Sequence, residues 1–170
     1  MPKSALVVID VQKYFITKHT KNLPRKIADY IEENRKKFDY ILFTKFVNKK
    51  NSNFFKLLNW KACTKAPDTN IHPDIAGLPD MTFDKSGFSA FSSKKFGQFL
   101  KSNKIRKLFI CGTDTECCIY ATAMDAFDRG FDIRVIEDLC GSSHGKAAHK
   151  IGVELLKKNL WSCNLWSCII

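Results

Sequence analysis

The sequence predicts an α/β domain with a mostly parallel sheet and helices on both faces. Three observations predict it. Five apolar runs of strand length recur along the chain: Ala5–Ile9, Tyr40–Phe46, Met81–Asp84, Leu108–Cys111 and Phe131–Ile136. Between them lie stretches with apolar residues at helical spacing, and strands alternating with helices build parallel sheets through crossover connections. At 170 residues, with 45% hydrophobic and 26% charged residues, the chain suits one ordinary globular core.

Each element has a local reason. Ala5–Ile9 is continuously apolar and ends at Asp10, as expected of a strand buried on both faces with a carboxylate at its C-terminal end. Pro24 opens a helical pattern with Ile27, Tyr30, Ile31 and Phe38 on one face and charges on the other. Tyr40–Phe46 is the second strand. From Val47 to Pro79, short apolar pieces alternate with Pro67, Pro73, Gly77 and Pro79, which predicts a long excursion with short helices, the kind of segment that builds pockets. Met81–Asp84 reads as a short strand, followed by Lys85-Ser-Gly-Phe-Ser-Ala-Phe. Ser92 or Ser93 then caps a helix that turns Phe96, Phe99 and Leu100 inward. Leu108–Cys111 leads into a helix with Ile119, Ala123, Ala126 and Phe127 on one side, stopped by Gly130. Phe131–Ile136 is the last strand. The final helix carries Ala147, Ala148, Ile151, Val153, Leu155 and Leu156. Residues 1–158 therefore form the domain, and residues 159–170 form an apolar tail built on a tandem Asn-Leu-Trp-Ser-Cys repeat.

Composition excludes several classes. No apolar run approaches the roughly 20 residues of a membrane span, and the N-terminus lacks the apolar core of a signal peptide. Seven cysteines, odd in number and irregularly spaced without a CxxC pair, point to reduced thiols and a cytoplasmic setting rather than a zinc ribbon or disulfide framework. The net charge of +11 permits binding of anions. The basic residues are nevertheless spread along the chain with no nucleic-acid-binding pattern, so no nucleic-acid partner is expected.

Chemistry concentrates at Leu108–Ala126. A strand, the small-residue turn Gly112-Thr-Asp-Thr and a helix carrying Cys118 in its first turn place a thiol where unpaired N–H groups and the helix dipole favour a thiolate. In parallel sheets, sites lie beyond the C-terminal strand ends, which groups Asp10, Lys85 and the Gly112–Cys118 turn on one edge. An ammonium beside a thiol favours its ionised form, a carboxylate can shuttle the proton, and N–H groups of the turn can receive an oxyanion. Such a set can cleave an amide or related C–N bond through a thioester.

These segments resemble the isochorismatase-like cysteine hydrolases, a family that includes nicotinamidases and N-carbamoylsarcosine amidohydrolase. Leu6-Val-Val-Ile-Asp-Val-Gln-Lys-Tyr-Phe is similar to the family's first strand, Lys85-Ser-Gly-Phe-Ser-Ala-Phe to its lysine segment, and Gly112-Thr-Asp-Thr-Glu-Cys-Cys-Ile-Tyr-Ala-Thr-Ala-Met-Asp-Ala to its nucleophile motif. The resemblance covers about Ala5 to Leu156. It implies a three-layer Rossmann-like fold, a catalytic triad of Asp10, Lys85 and Cys118, and a cis peptide at Thr113–Asp114. It further implies an oxyanion hole from the N–H groups of Asp114 and Cys118. Cys118 takes the nucleophile position, and Cys117 falls on a variable one.

One departure matters. Nicotinamidases of this family hold a metal with an Asp and histidines after the second strand. This chain has Lys45-Phe-Val-Asn-Lys-Lys-Asn-Ser-Asn-Phe-Phe there, without histidine, so no metal or other cofactor is expected. Phe15, Phe46, Trp60 and Phe88 are the expected lining of a small aromatic pocket for a small-molecule substrate. Family resemblance also implies a possible homo-oligomer. Two alternatives stay open: a family hydrolase acting on another type of substrate, and a non-catalytic binding or assembly member.

Overall fold

The computed structural model describes residues 2–160. Five strands, β1 (Lys3–Ile9), β2 (Tyr40–Phe46), β3 (Met81–Lys85), β4 (Ile105–Thr113) and β5 (Asp132–Gly141), form one parallel sheet in the order β3-β2-β1-β4-β5. The helices are α1 (Leu23–Asn34), α2 (Asn53–Lys56), α3 (Lys94–Ser102), α4 (Tyr120–Asp128) and α5 (Lys146–Leu160). From β1 the chain winds outward through β2 to β3, then returns past β1 to β4 and continues to β5. Right-handed crossovers in opposite directions put α1 on one face and α3 and α4 on the other. The reversal between β1 and β4 opens a crevice beyond their C-terminal ends, where doubly wound sheets bind ligands.

The core follows from the strand sequences. Ala5 to Ile9 are at most 1% exposed, as both faces of β1 are covered. Ile27, Ala28 and Ile31 of α1 are buried, with Pro24 in its first turn. Phe96 and Leu100 of α3 are buried, while Phe99 packs from the edge. Gly130, at φ +76°, ends α4 in the left-handed conformation that glycine adopts without a Cβ clash.

Three local expectations change. Strand β5 continues past the acidic Glu137-Asp138 to Gly141, because after an irregularity its pairing with β4 resumes at Gly112↔Cys140 and buries Leu139 and Cys140. Phe127 is 46% exposed, standing about 100° around the helix from buried Ala126 at the edge of the apolar stripe. Ile151 and Leu155 face outward because α5 makes its closest approach through Gly152. A Cβ there would lie 2.6 Å from the Glu116 nitrogen. Helix α5 continues through Asn159 to Leu160, and the rest of the tandem repeat lies outside the described residues. Among the described residues no helix is long and apolar enough to cross a membrane.

Candidate active site

Asp10 directly follows β1, and its φ of +49° turns the carboxylate back over the strand ends. Aspartate is one of the few residues other than glycine that adopts this region readily. The Thr44 hydroxyl donates to its Oδ1 at 2.7 Å, and Lys85 Nζ lies 2.7 Å from Oδ2. Lys85 reaches across from the end of β3 with its side chain wholly out of solvent. Its ammonium donates to the carbonyls of Gly87 (2.8 Å) and Phe88 (2.9 Å) and to Cys118 Sγ (3.4 Å). The ring of Phe46 lies 5.2 Å from it. Burial pulls the Lys85 pKa down, but Asp10 and Cys118 together outweigh burial and leave it raised. The three residues named from the sequence therefore meet.

The thiol corrects one expectation. Cys118 is 9% exposed, and burial pushes its pKa well above the ordinary value. Lys85 pulls it down and Asp10 pushes it up, but burial prevails. Burial thus disfavours the thiolate, and the Asp10 carboxylate lies beside the thiol. A dipole and one ammonium do not overcome removal from water when that ammonium is already paired with Asp10.

The turn before Cys118 is built by close approach. Gly112 has φ +120°, and a Cβ on it would lie 2.2 Å from the Ile9 carbonyl oxygen, so only glycine lets β4 pass β1 here. The Thr113 hydroxyl donates to the Asp10 carbonyl at 2.8 Å, and the Thr113–Asp114 peptide is cis. Residues Thr115–Ile119 then form one π-helical turn in place of the expected α-helical start. In it the Asp114 carbonyl accepts from the N–H groups of Cys117 and Ile119, both at 3.1 Å, straddling Cys118. Ser143, in the loop after β5, clasps the Asp114 side chain through its N–H (2.7 Å) and its hydroxyl (2.8 Å). Burial nevertheless raises the Asp114 pKa.

A cavity of about 260 Å³ opens onto Cys118. Phe15, Phe46, Trp60 and Phe88 all line it, joined by Tyr14, Phe54 and Leu58. Phe46 and Trp60 stack at 5.4 Å with their planes 21° apart, and the Trp60 ring N–H donates to the Tyr14 hydroxyl at 3.0 Å. Gln12 fixes this wall by donating to the Phe46 and Thr69 carbonyls (3.0 and 3.1 Å) and accepting the Phe46 N–H at 2.7 Å. Cys117, half-buried, also faces the cavity. A larger groove of about 600 Å³ shares Phe54, Leu58 and Phe88 but does not reach the thiol.

Asp114, Glu116 and His144 bring three potential metal-ligand atoms within 4.8 Å of one another at the cavity rim. Both Asp114 oxygens already accept from Ser143, and Glu116 Oε1 accepts from the Ser142 hydroxyl at 2.7 Å. Sequence reasoning missed Thr44, Phe54, Ser143 and His144. Nothing local marks them, because their roles arise from strand neighbours and loop closure.

Together these features define a doubly wound α/β protein whose switch-point crevice holds a buried carboxylate, ammonium and thiol in contact. The chain belongs to the isochorismatase family: the model of the isochorismatase domain matches residues 4–163. It is similar to isochorismatase domain-containing protein 2 of Xenopus laevis, with 32% identity over 82 residues, 44% of this chain and 40% of that protein. The alignment thus spans only about two fifths of that relative's length. Nicotinamidase 3 of Arabidopsis thaliana is 26% identical over 137 residues, 76% of this chain and 69% of that protein. Among solved structures, an isochorismatase-like hydrolase from Alkaliphilus metalliredigens superposes with a TM-score of 0.81 at 20% identity. That match covers 92% of this chain and 91% of the other. The pyrazinamidase/nicotinamidase of Streptococcus mutans gives 0.80 at 21% identity, covering 94% and 98%. These likenesses confirm the fold.

Proposed function

We propose that this protein is a hydrolase that opens a C–N bond of a small amide or ureido compound through a thioester on Cys118. The observation that carries the reading is the position of one ammonium, Lys85 Nζ, 2.7 Å from Asp10 and 3.4 Å from Cys118. Asp10 takes the thiol proton as the sulfur attacks the carbonyl carbon, so the C–S bond forms while the carbonyl electrons move to oxygen. The N–H groups of Asp114 and Cys118 receive that oxyanion. As the C–N bond breaks, Asp10 returns the proton to the departing ammonia or amine. Water then attacks the thioester, passing a proton to Asp10. The C–S bond breaks, the proton returns to sulfur, and a carboxylic or carbamic acid leaves. Lys85 compensates whichever of Asp10 and Cys118 carries the negative charge. The steps call on no metal, in keeping with the histidine-free stretch after β2.

A panel of small amides and ureido compounds assayed for ammonia release tests the reading. Cys118→Ala, verified as folded by circular dichroism, is expected to lose turnover of every substrate found. Full activity in that variant overturns the thioester mechanism.

A further inference from the structure

We propose that Thr44 is a positioning residue for the proton transfer, holding the Asp10 carboxylate so that Oδ2 alone exchanges the proton with Cys118. The inference rests on the reading of Asp10 as the proton acceptor. Thr44 lies in β2 with no solvent exposure, next to β1 in the sheet. Its hydroxyl grips Asp10 at two points. The hydroxyl donates to Oδ1 at 2.7 Å, and its oxygen receives the Asp10 N–H at 3.3 Å, shared with the Thr44 carbonyl at 3.3 Å.

A hydroxyl has one proton to donate. Committing that proton to Oδ1 occupies one carboxylate oxygen with a donor and orients the other toward the ammonium of Lys85 and the thiol. Oδ2 instead pairs with the Lys85 ammonium at 2.7 Å, on the side of the carboxylate that interacts with Cys118. The carboxylate is thus asymmetric: the Thr44 hydroxyl holds Oδ1, and Oδ2 is shared between the Lys85 ammonium and the proton exchanged with the thiol. Without the Oδ1 bond the Lys85 pair alone holds the carboxylate, which can then turn about its Cβ–Cγ bond, so the acceptor oxygen is no longer fixed toward the thiol at the moment of transfer. Correct placement of a general base is worth on the order of 10²–10⁴ in rate, and a partial loss of it is the expected signature.

The test compares Thr44→Val, which keeps volume and removes the hydroxyl, with Thr44→Ser, which keeps the hydroxyl. Iodoacetamide supplies a readout that needs no known substrate: the rate of Cys118 alkylation at neutral pH, mapped by mass spectrometry apart from Cys117. Thr44→Val is expected to slow alkylation roughly tenfold or more, and to lower kcat similarly with KM within about twofold for any substrate from the amide panel. Thr44→Ser is expected to restore both. In an Asp10→Asn background, Thr44→Val is expected to add no further loss, since it acts only through Asp10. Wild-type rates in Thr44→Val, or an equal additional loss without the Asp10 carboxylate, overturn the proposal. If valine prevents folding, Thr44→Ala takes its place. Failure of both to fold while serine folds assigns the hydroxyl to stability alone and also overturns it. If Cys118→Ala is dead while Thr44→Val is fully active, only the positioning role falls. If Cys118→Ala is active, the reading beneath it falls.

Discussion

The ammonium of Lys85 lies 2.7 Å from Oδ2 of Asp10, with the two side chains 0% and 1% exposed. A pair so placed is held by each partner's need for the other rather than by net attraction, because both charges have left water. Lys85→Met leaves the buried Asp10 carboxyl without its ammonium partner. The expected loss is about 3–5 kcal/mol in urea unfolding. The double variant Asp10→Asn/Lys85→Met is expected to recover much of that loss. A single variant as stable as the wild type contradicts the pairing.

Gly152 of α5 sits directly on the turn that presents Cys118, where an added Cβ would lie 2.6 Å from the Glu116 nitrogen and 2.8 Å from the Thr115 carbonyl carbon. These atoms belong to backbone and cannot swing aside. Gly152→Ala is therefore expected to push the turn and displace Cys118. A displacement of about 1 Å can cost on the order of 100-fold in rate. The measurement is kcat against melting temperature: a large fall in kcat with a modest loss of stability is the predicted pattern, and unchanged kcat rejects it.

Burial raises the thiol pKa values of Cys63 and Cys140 to about 12, and those of Cys111, Cys117 and Cys118 above their ordinary value. Unfolded thiols release their protons near pH 8.5, at which the folded chain still holds its own. Above about pH 8.5 the folded state binds more protons than the unfolded one, so stability falls as pH rises, by up to about 1.4 kcal/mol per pH unit for each thiol. Lys85, whose pKa is also raised, adds to the fall at higher pH still. Urea midpoints compared at about pH 7.5, 9 and 10 should decline, and Cys63→Ala should flatten the decline. A midpoint that rises with pH rejects the account.

Trp60 stacks on Phe46 at 5.4 Å and faces the cavity without touching the Asp10–Lys85–Cys118 cluster through any hydrogen bond. Trp60→Ala removes a wall of the pocket but no reacting group. KM is expected to rise about tenfold with kcat within a few fold, the pattern of a lost contact that is equally strong in the bound and transition states. A selective loss of kcat instead assigns Trp60 to the chemistry.

Much of the protein was legible in the chain alone. Continuous apolar runs such as Ala5–Ile9, alternating with amphipathic helices, determined a parallel α/β sheet, because only a strand covered on both faces carries no polar alternation. The strand-end rule placed Asp10, Lys85 and Cys118 on one edge, and three motifs in order identified which residues of that edge to compare.

Tertiary structure decided the rest. Strand order is not encoded locally, and it is the order β3-β2-β1-β4-β5 that puts Thr44 beside Asp10 and brings Lys85 within reach from two strands away. The environment of the thiol also depended on packing: local pattern favoured a thiolate, whereas burial and Asp10 raise the thiol pKa against the opposing pull of Lys85. The turn that presents Cys118 is shaped by contacts distant in sequence, from Ile9 against Gly112 to Gly152 against Glu116. A sequence records which chemistry each residue carries. Desolvation and through-space charge, which set how that chemistry is poised, exist only once distant segments have closed around it.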